Sequence, residues 1–286
     1  MNVILNEFSL EEQFDSPETF LESLKSIIKV QHIMDVCSFT LLKHQELYNY
    51  KVTENRTLHE ILIDKRISTG NEGRKFKIFL KKLMSDPPFW QDNQRHLNSD
   101  RYICDYTHEV SGYSLAEACE RDKIVLSFDC GNFREAGLII KKNGQPISLL
   151  NINDPKVFAD YLLEMKKIGY HEFCNTRFEN QNISFSKLES SYDFNMLEEE
   201  EANTFISTFK YFSEMTWDEI QQSNGLEFKK YQPASRKDDW FANSSYEDKQ
   251  IFKFRTSQKY RCFGYREGNV FFVLRFEVDH LVSDKG

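Results

Sequence analysis

The chain has 286 residues, 40% of them hydrophobic and 14% aromatic, with a formal net charge of −8. It exceeds the commonest single-domain size and is apolar enough to fill a real core, so two domains are the default expectation. The acidic balance excludes a protein coated everywhere with nucleic-acid-binding charge, and any polyanionic partner must meet a local patch.

Six cysteines (Cys37, Cys104, Cys119, Cys130, Cys174, Cys262) are scattered without a short Cys-x-x-Cys spacing and read as reduced, mostly buried small hydrophobes. The opening MNVILNEFSLEEQFDSPE has no basic region followed by an apolar one, and no segment approaches the length of a bilayer span. A cytoplasmic protein with no membrane partner is the expectation.

In chain order, Ser16-Pro17-Glu18 reads as a helix cap with proline in the first turn, and Phe20, Leu21, Leu24, Ile27 and Ile28 follow at helical spacing. The stretch IKVQHIMDVCSFTLL continues apolar, either as a broken helix or as a partly buried strand. Further helices are predicted over Thr57 to Asp64 and Arg74 to Met84, the latter stopped by the prolines of SDPPFW. Ser114 and Glu117 have capping-box spacing at the start of a short helix that leads into the buried-strand pattern KIVLSF. In GLIIKKNGQPISLLNI two apolar runs join through Asn143-Gly144, a strong hairpin signal. Asp154-Pro155 then opens a helix over VFADYLLEMKKIGY.

Residues 176–203 are rich in Asn, Ser and Glu and read as a linker. The run Glu198 to Glu201 suits a helix start, where acidic side chains meet the positive end of the dipole; masking of a basic surface is the sharper alternative. TFISTFKYFSEMTWDEIQQS follows as a helical stretch with Phe205, Phe209, Phe212 and Trp217 on its apolar stripe. The predicted fold class is therefore α+β: a mixed α/β domain over residues 1–175, the linker, and a domain over residues 204–286 of helices packed on an antiparallel sheet.

The closing FKFRTSQKYRCFGYREGNVFFVLRF reads as three short strands. By the period-two rule, Ile251, Lys253 and Arg255 share a face opposite Phe252 and Phe254, and Arg261, Phe263 and Tyr265 alternate against Tyr260, Cys262 and Gly264. In the last strand, Val270, Phe272, Leu274, Phe276 and Val278 should form the core face, with Phe271, Val273, Arg275 and Glu277 opposite. Glu267-Gly268-Asn269 makes the turn between the last two strands. Residues 227–266 hold ten Lys or Arg against five Asp or Glu. Interleaved with Tyr260, Phe263 and Tyr265, these have the composition of a surface that grips phosphates and stacks bases. An antiparallel sheet with one wet face and lysine-guarded edges has the same composition.

The order helix, polar segment, FKFR, TSQKYRCFGYR, EGNVFFVLRF and a closing Asp279-His280 resembles the C-terminal part of the RelE/ParE superfamily of small toxins. The likeness spans residues 204–286, with most of it in the closing strands, and nothing in residues 1–170 carries it. It implies helices followed by a curled antiparallel sheet and, in the ribonuclease branch, metal-independent cleavage of messenger RNA in the ribosomal A site by 2′-hydroxyl attack on the neighbouring phosphate. Cationic side chains there stabilise the developing charge. On this resemblance Arg261 is the arginine at the phosphate, Arg255 and Lys253 match the basic residues of the first strand, and His280 is the proton-transfer residue. Lys259, Tyr260, Tyr265, Arg266 and Arg275 complete the expected RNA surface. Many active members carry a tyrosine in a C-terminal tail, whereas only LVSDKG follows His280 here. A domain lacking that group would bind RNA or a ribosome without cutting, and the gyrase-inhibiting branch shares the fold without the ribonuclease site.

The resemblance thus implies a toxin or phage-defence protein that takes RNA or a ribosome as partner, with an acidic antitoxin or regulatory protein alongside and a sensing N-terminal domain. The alternative is a non-catalytic interaction protein whose basic sheet docks an acidic protein. Neither reading calls for a cofactor or metal: no phosphate-cradling Gly-rich loop or Gly-x-Ser-x-Gly motif occurs. His171/Cys174 have no second ligand pair nearby, and Asp122 and Asp129 flank KIVLSF as the metal-binding carboxylates of nucleases do, a third possibility, although acidic residues at strand ends are also routine. His96 and His108 fall among Trp90, Tyr102, Tyr106 and Tyr113, a stretch that suits a pocket lining or a small second core.

Overall fold

The structure, a computed structural model, describes residues 1–67, 71–106, 108–279 and 281–282. Its chain divides into two compact units, Met1–Tyr161 and Leu162–Gly286. The first contains β1 (Asn2–Leu5), α1 (Pro17–Val36), β2 (Thr40–Leu42), β3 (Lys51–Thr53), β4 (Arg56–Thr57), α2 (Leu58–Ile63), α3 (Asn71–Ser85), β5 (Tyr102–Cys104) and β6 (His108–Glu109). It continues with α4 (Ser114–Cys119), β7 (Ile124–Leu126), β8 (Gly137–Lys142) and β9 (Gln145–Ile152), and the division falls within α5 (Pro155–Glu164). With helices and mixed sheets, the chain is α+β.

Local chemistry explains the first helices. Ser16 Oγ accepts the Thr19 N–H at 3.2 Å, and Pro17 stands where the helix needs no donor, which fixes the start of α1. Thr57 and Glu60 cap α2 reciprocally. Asn143 and Gly144, with φ of 47° and 86°, supply the two left-handed residues a tight hairpin between β8 and β9 requires. The expected capping box at Ser114 does not form: Tyr113 is the cap residue, and Glu117 is drawn into another network.

The seven-stranded sheet runs β2-β1-β7-β9-β8-β5-β6. Its first four strands are parallel neighbours and the rest antiparallel. β1 is followed by α1 and by β2 on one side, while β7 joins on the other, so the strand order reverses between β1 and β7. Phe20, Leu24, Ile27 and Val30 of α1 are fully buried, as is every residue of β7. All six cysteines are free thiols, five of them buried.

The second unit comprises α6 (Tyr170–Arg177), β10 (Ile183–Ser184), α7 (Glu199–Glu214), α8 (Trp217–Gln222), β11 (Lys229–Lys230), β12 (Ile251–Arg255), β13 (Arg261–Glu267) and β14 (Val270–Glu277). Its sheet order is β10-β14-β13-β12-β11. β11 to β14 form an antiparallel meander, and β10 pairs parallel with β14. Residues 176–203, expected as a linker, are part of this body. Ile183 pairs with Phe271, and Phe185 and Phe194 are buried against Phe209 and Phe276. The apolar residues of that stretch are few, but each is large enough to anchor a turn of chain. Glu199, Glu200 and Glu201 occupy the first turn of α7.

One face of this sheet carries the rings of Phe254, Phe271 and Phe276 against Phe205, Phe209 and Phe212 of α7. The expected phase of β14 is wrong over its first half. Phe263 pairs with Arg275 but Gly264 with Val273, so Leu274 is an extra residue, and such a bulge flips every side chain on one side of it. Phe271 and Val273 thereby join Phe276 on the helix side. Gly264 sits at the bulge, and a Cβ there would stand 2.1 Å from the Phe272 carbonyl oxygen and 2.7 Å from the Phe271 ring. Gly264→Ala is expected to destabilise the second unit by about 3 kcal/mol, because a backbone carbonyl must move to admit the methyl. Urea unfolding followed by tryptophan emission measures it.

Candidate nucleic-acid interface

Residues directly opposite one another on antiparallel strands share a face. One row across the sheet is Lys229, Lys253, Phe263 and Arg275, and the next is Arg255, Arg261 and Glu277. The register therefore brings Lys253, Arg255 and Arg261 together on the face away from α7. Arg266 does not join them. It falls on the helix side, where its guanidinium stacks 3.8 Å from the Trp217 ring centroid and its Nε donates to the Gly268 carbonyl at 2.9 Å.

The cationic face is not wet, contrary to the expectation of an open phosphate-binding surface. Lys253, Arg261 and Arg275 are only 3%, 6% and 5% exposed. The polar connection between β11 and β12 folds back over them, with Tyr231, Trp240, Phe241 and Tyr246 packed around Phe263, Tyr265 and Leu274. Sequence reasoning missed this cover because its three rings between residues 240 and 246 are embedded in KDDWFANSSYED; the Asp-Asp-Trp-Phe step is the one signal that could have exposed it.

Each buried cation has a partner of its own. The Lys253 ammonium lies 5.9 Å from the Tyr231 ring centroid. Arg261 Nη1 donates to the carbonyls of Ser257 and Tyr260, both at 2.9 Å. Arg275 is held most completely: Nε and Nη2 meet Glu189 Oε2 at 3.1 and 2.9 Å, and Nη1 donates to the Trp240 carbonyl. Its guanidinium lies 4.6 Å from the Tyr192 ring, 5.1 Å from Trp240 and 4.4 Å from Phe241. Glu189 and Tyr192 belong to the stretch read as linker. Tyr265 is buried as well, stacked on Phe272 and covered by the Lys249 ammonium at 4.9 Å.

What faces solvent is the end of the β12–β13 hairpin. Arg255 is a third exposed and bridges Glu227 Oε1 at 2.7 Å. Lys259 is exposed, and half-buried Tyr260 stacks on Phe205 with ring planes 11° apart. Burial, then Glu201, raises the Tyr260 phenol above its usual range. His280 lies outside the described residues.

The other candidates do not assemble. Asp122 Oδ2 accepts the Asn2 N–H at 2.6 Å, while Asp129, at the other end of β7, pairs with Arg134 at 3.1 Å. Cys174 is fully buried, whereas His171 faces solvent beside Asn175. Among the described residues no three His, Cys, Asp or Glu side chains group to hold a metal ion, and no helix is long and apolar enough to cross a membrane. His96 is part of a buried cluster: its Nδ1 lies 2.6 Å from Glu117 Oε2, and its ring packs on Trp90 and Tyr102.

Neither a family model, nor a curated protein, nor a solved structure matches this chain.

Proposed function

We propose that the second unit is a RelE-like module that binds RNA at the end of its β12–β13 hairpin and does not cut it. The observation that carries this reading is the placement of Arg255 directly opposite Arg261. Like charges facing each other across a ladder cost stability, and a sequence that keeps such a conflict does so most often at a functional site. Lys259 and Tyr260 in the adjoining turn add a phosphate contact and an aromatic face, the pairing single-stranded nucleic acid requires. The succession of two helices and an antiparallel meander agrees with what the resemblance implies. Binding is favoured over cleavage because Arg261 donates to backbone carbonyls and Arg275 to Glu189, which leaves no buried guanidinium turned to a scissile phosphate.

The test is fluorescence anisotropy with labelled single-stranded RNA across a salt series. Two to three phosphate contacts predict a slope of log K against log salt of roughly −1.5 to −2. Arg255→Ala and Lys259→Ala should each flatten it, and Tyr260→Ala should weaken binding at every salt. Absence of binding at low salt would rule the reading out and favour an acidic protein partner. The ribonuclease reading has one observation of its own, the shared face of Lys253, Arg255 and Arg261. Metal-independent cleavage of ribosome-bound messenger RNA that disappears in Arg261→Ala would establish it instead.

A further inference from the structure

In open sheets with parallel strands, ligands settle beyond the carboxyl ends of the strands where the strand order reverses. In the first unit that place is marked by an unusual residue. Glu7, just past β1, is fully buried; its Oε1 accepts the Ser114 N–H at 2.9 Å, while Oε2 has no hydrogen-bond partner among the described residues. A carboxylate oxygen left so is costly, and a cost of this kind marks candidate function.

The loops after β1 and β2 and the turn before α4 line a cleft of about 580 Å³. Its walls include the rings of His44, Tyr50 and Tyr113 and the carboxylates of Glu11 and Glu46. Lys51, the cation on this lining, is already bridged to Glu12 at 3.1 Å. Burial lowers the His44 pKa below the usual imidazole value, against the pull of Glu46. Glu7 stands behind the aromatic wall. It is hydrogen-bonded to the residue after Tyr113 and lies within electrostatic reach of the Tyr50 phenol, which burial and then the charge of Glu7 push upward.

We propose that this cleft binds a small organic cation, its ammonium or guanidinium group held by Glu11 and Glu46 against the faces of Tyr50 and Tyr113, with Glu7 as the buried counter-charge. Aromatic faces and carboxylates are the two chemistries that recognise such groups. Burial outweighs the side-chain and backbone hydrogen bonds of Ser114 and, with Glu11 adding a little, pushes the Glu7 carboxyl up to about 7. The charged neighbour that acts on Glu7 is Glu11, and Glu7 in turn acts on the Tyr50 phenol. An arriving cation favours the ionised form of Glu7, so binding near neutrality releases a proton from it.

Calorimetric titration of the whole chain with agmatine, which carries a guanidinium and an ammonium, tests the proposal, with neutral 1,4-butanediol as control. Agmatine should bind and butanediol should not. Glu11→Gln and Glu46→Gln, at the open cleft, should each weaken agmatine about tenfold or more. Repeating the titration at pH 7 in two buffers of different ionisation enthalpy should show proton release in the wild type and none in Glu7→Gln. Agmatine binding no better than butanediol overturns the proposal, as does unchanged affinity in both cleft variants. Proton release that persists in a folded Glu7→Gln removes Glu7 from it.

Discussion

Replacing Arg275 with methionine is expected to lower the stability of the second unit by about 4 kcal/mol, because breaking one side of a buried ion pair strands the other. The guanidinium is 7% exposed and its carboxylate partner Glu189 is 26% exposed. Methionine restores much of the volume between Tyr192, Trp240 and Phe241 but leaves the Glu189 oxygen and the Trp240 carbonyl without their donors. Glu189→Gln should cost less, since the partly exposed amide still accepts from the guanidinium. Arg275→Lys should not rescue: an ammonium offers no plane to stack between three rings and no fork for the carboxylate and carbonyl together. Denaturant midpoints of the four proteins read this directly. A methionine variant within about 1 kcal/mol of wild type would show that the cover over the sheet holds without its arginine.

Glu117→Gln is expected to be nearly as damaging, by about 3 kcal/mol at neutral pH, and with a pH signature. The Glu117 carboxylate accepts the N–H groups of Arg95 at 3.0 Å and His96 at 3.2 Å, meets His96 Nδ1 at 2.6 Å, and takes Arg121 Nε at 2.6 Å. Burial alone would raise its pKa, but the His96 ring, these backbone donors and Arg121 outweigh it and hold the group at about 2. A carboxyl depressed in the folded state stabilises it above the ordinary value of 4.5, and that contribution fades as pH falls through about 2. Wild-type stability should therefore drop more steeply between those two values than that of the glutamine variant. Parallel curves for the two proteins would count against the carboxylate as the clip between α4 and residues 95–96.

These two residues also mark where sequence reasoning stops. The Ser16-Pro17 start of α1 and the Asn143-Gly144 hairpin are written in neighbouring residues and are read from them. Glu117 has capping-box spacing from Ser114, yet apart from Arg121 on the next turn its partners lie 21 and 22 residues back, a tertiary choice that spacing cannot reveal. VFFVL is apolar on both beats, so its phase is taken from Arg275 and Glu277 further on, and the bulge at Leu274 shifts the first half without a local cue. The parallel neighbours β1, β2, β7 and β9 are separated by helices and loops, and their order follows from packing. Of the candidate interface, alternation gave the shared side of Lys253 and Arg255 within their strand, while the common face with Arg261 follows from the register. The cover over it was not legible, because burial of an arginine depends on rings supplied from residues 192, 240 and 241.

The pairing of β10 with β14 has a consequence for biosynthesis. The first strand of the unit, Ile183–Ser184, finds its partner at Phe271 and Phe272, so the ladder cannot close until those residues have been made. At about 5–20 residues per second the chain between them takes on the order of 4–18 s to emerge. From the completion of α7 until β14 follows, the phenylalanine stripe of α7 has no complete sheet to lie on, and the nascent chain is exposed to chaperones and to its neighbours on the same message.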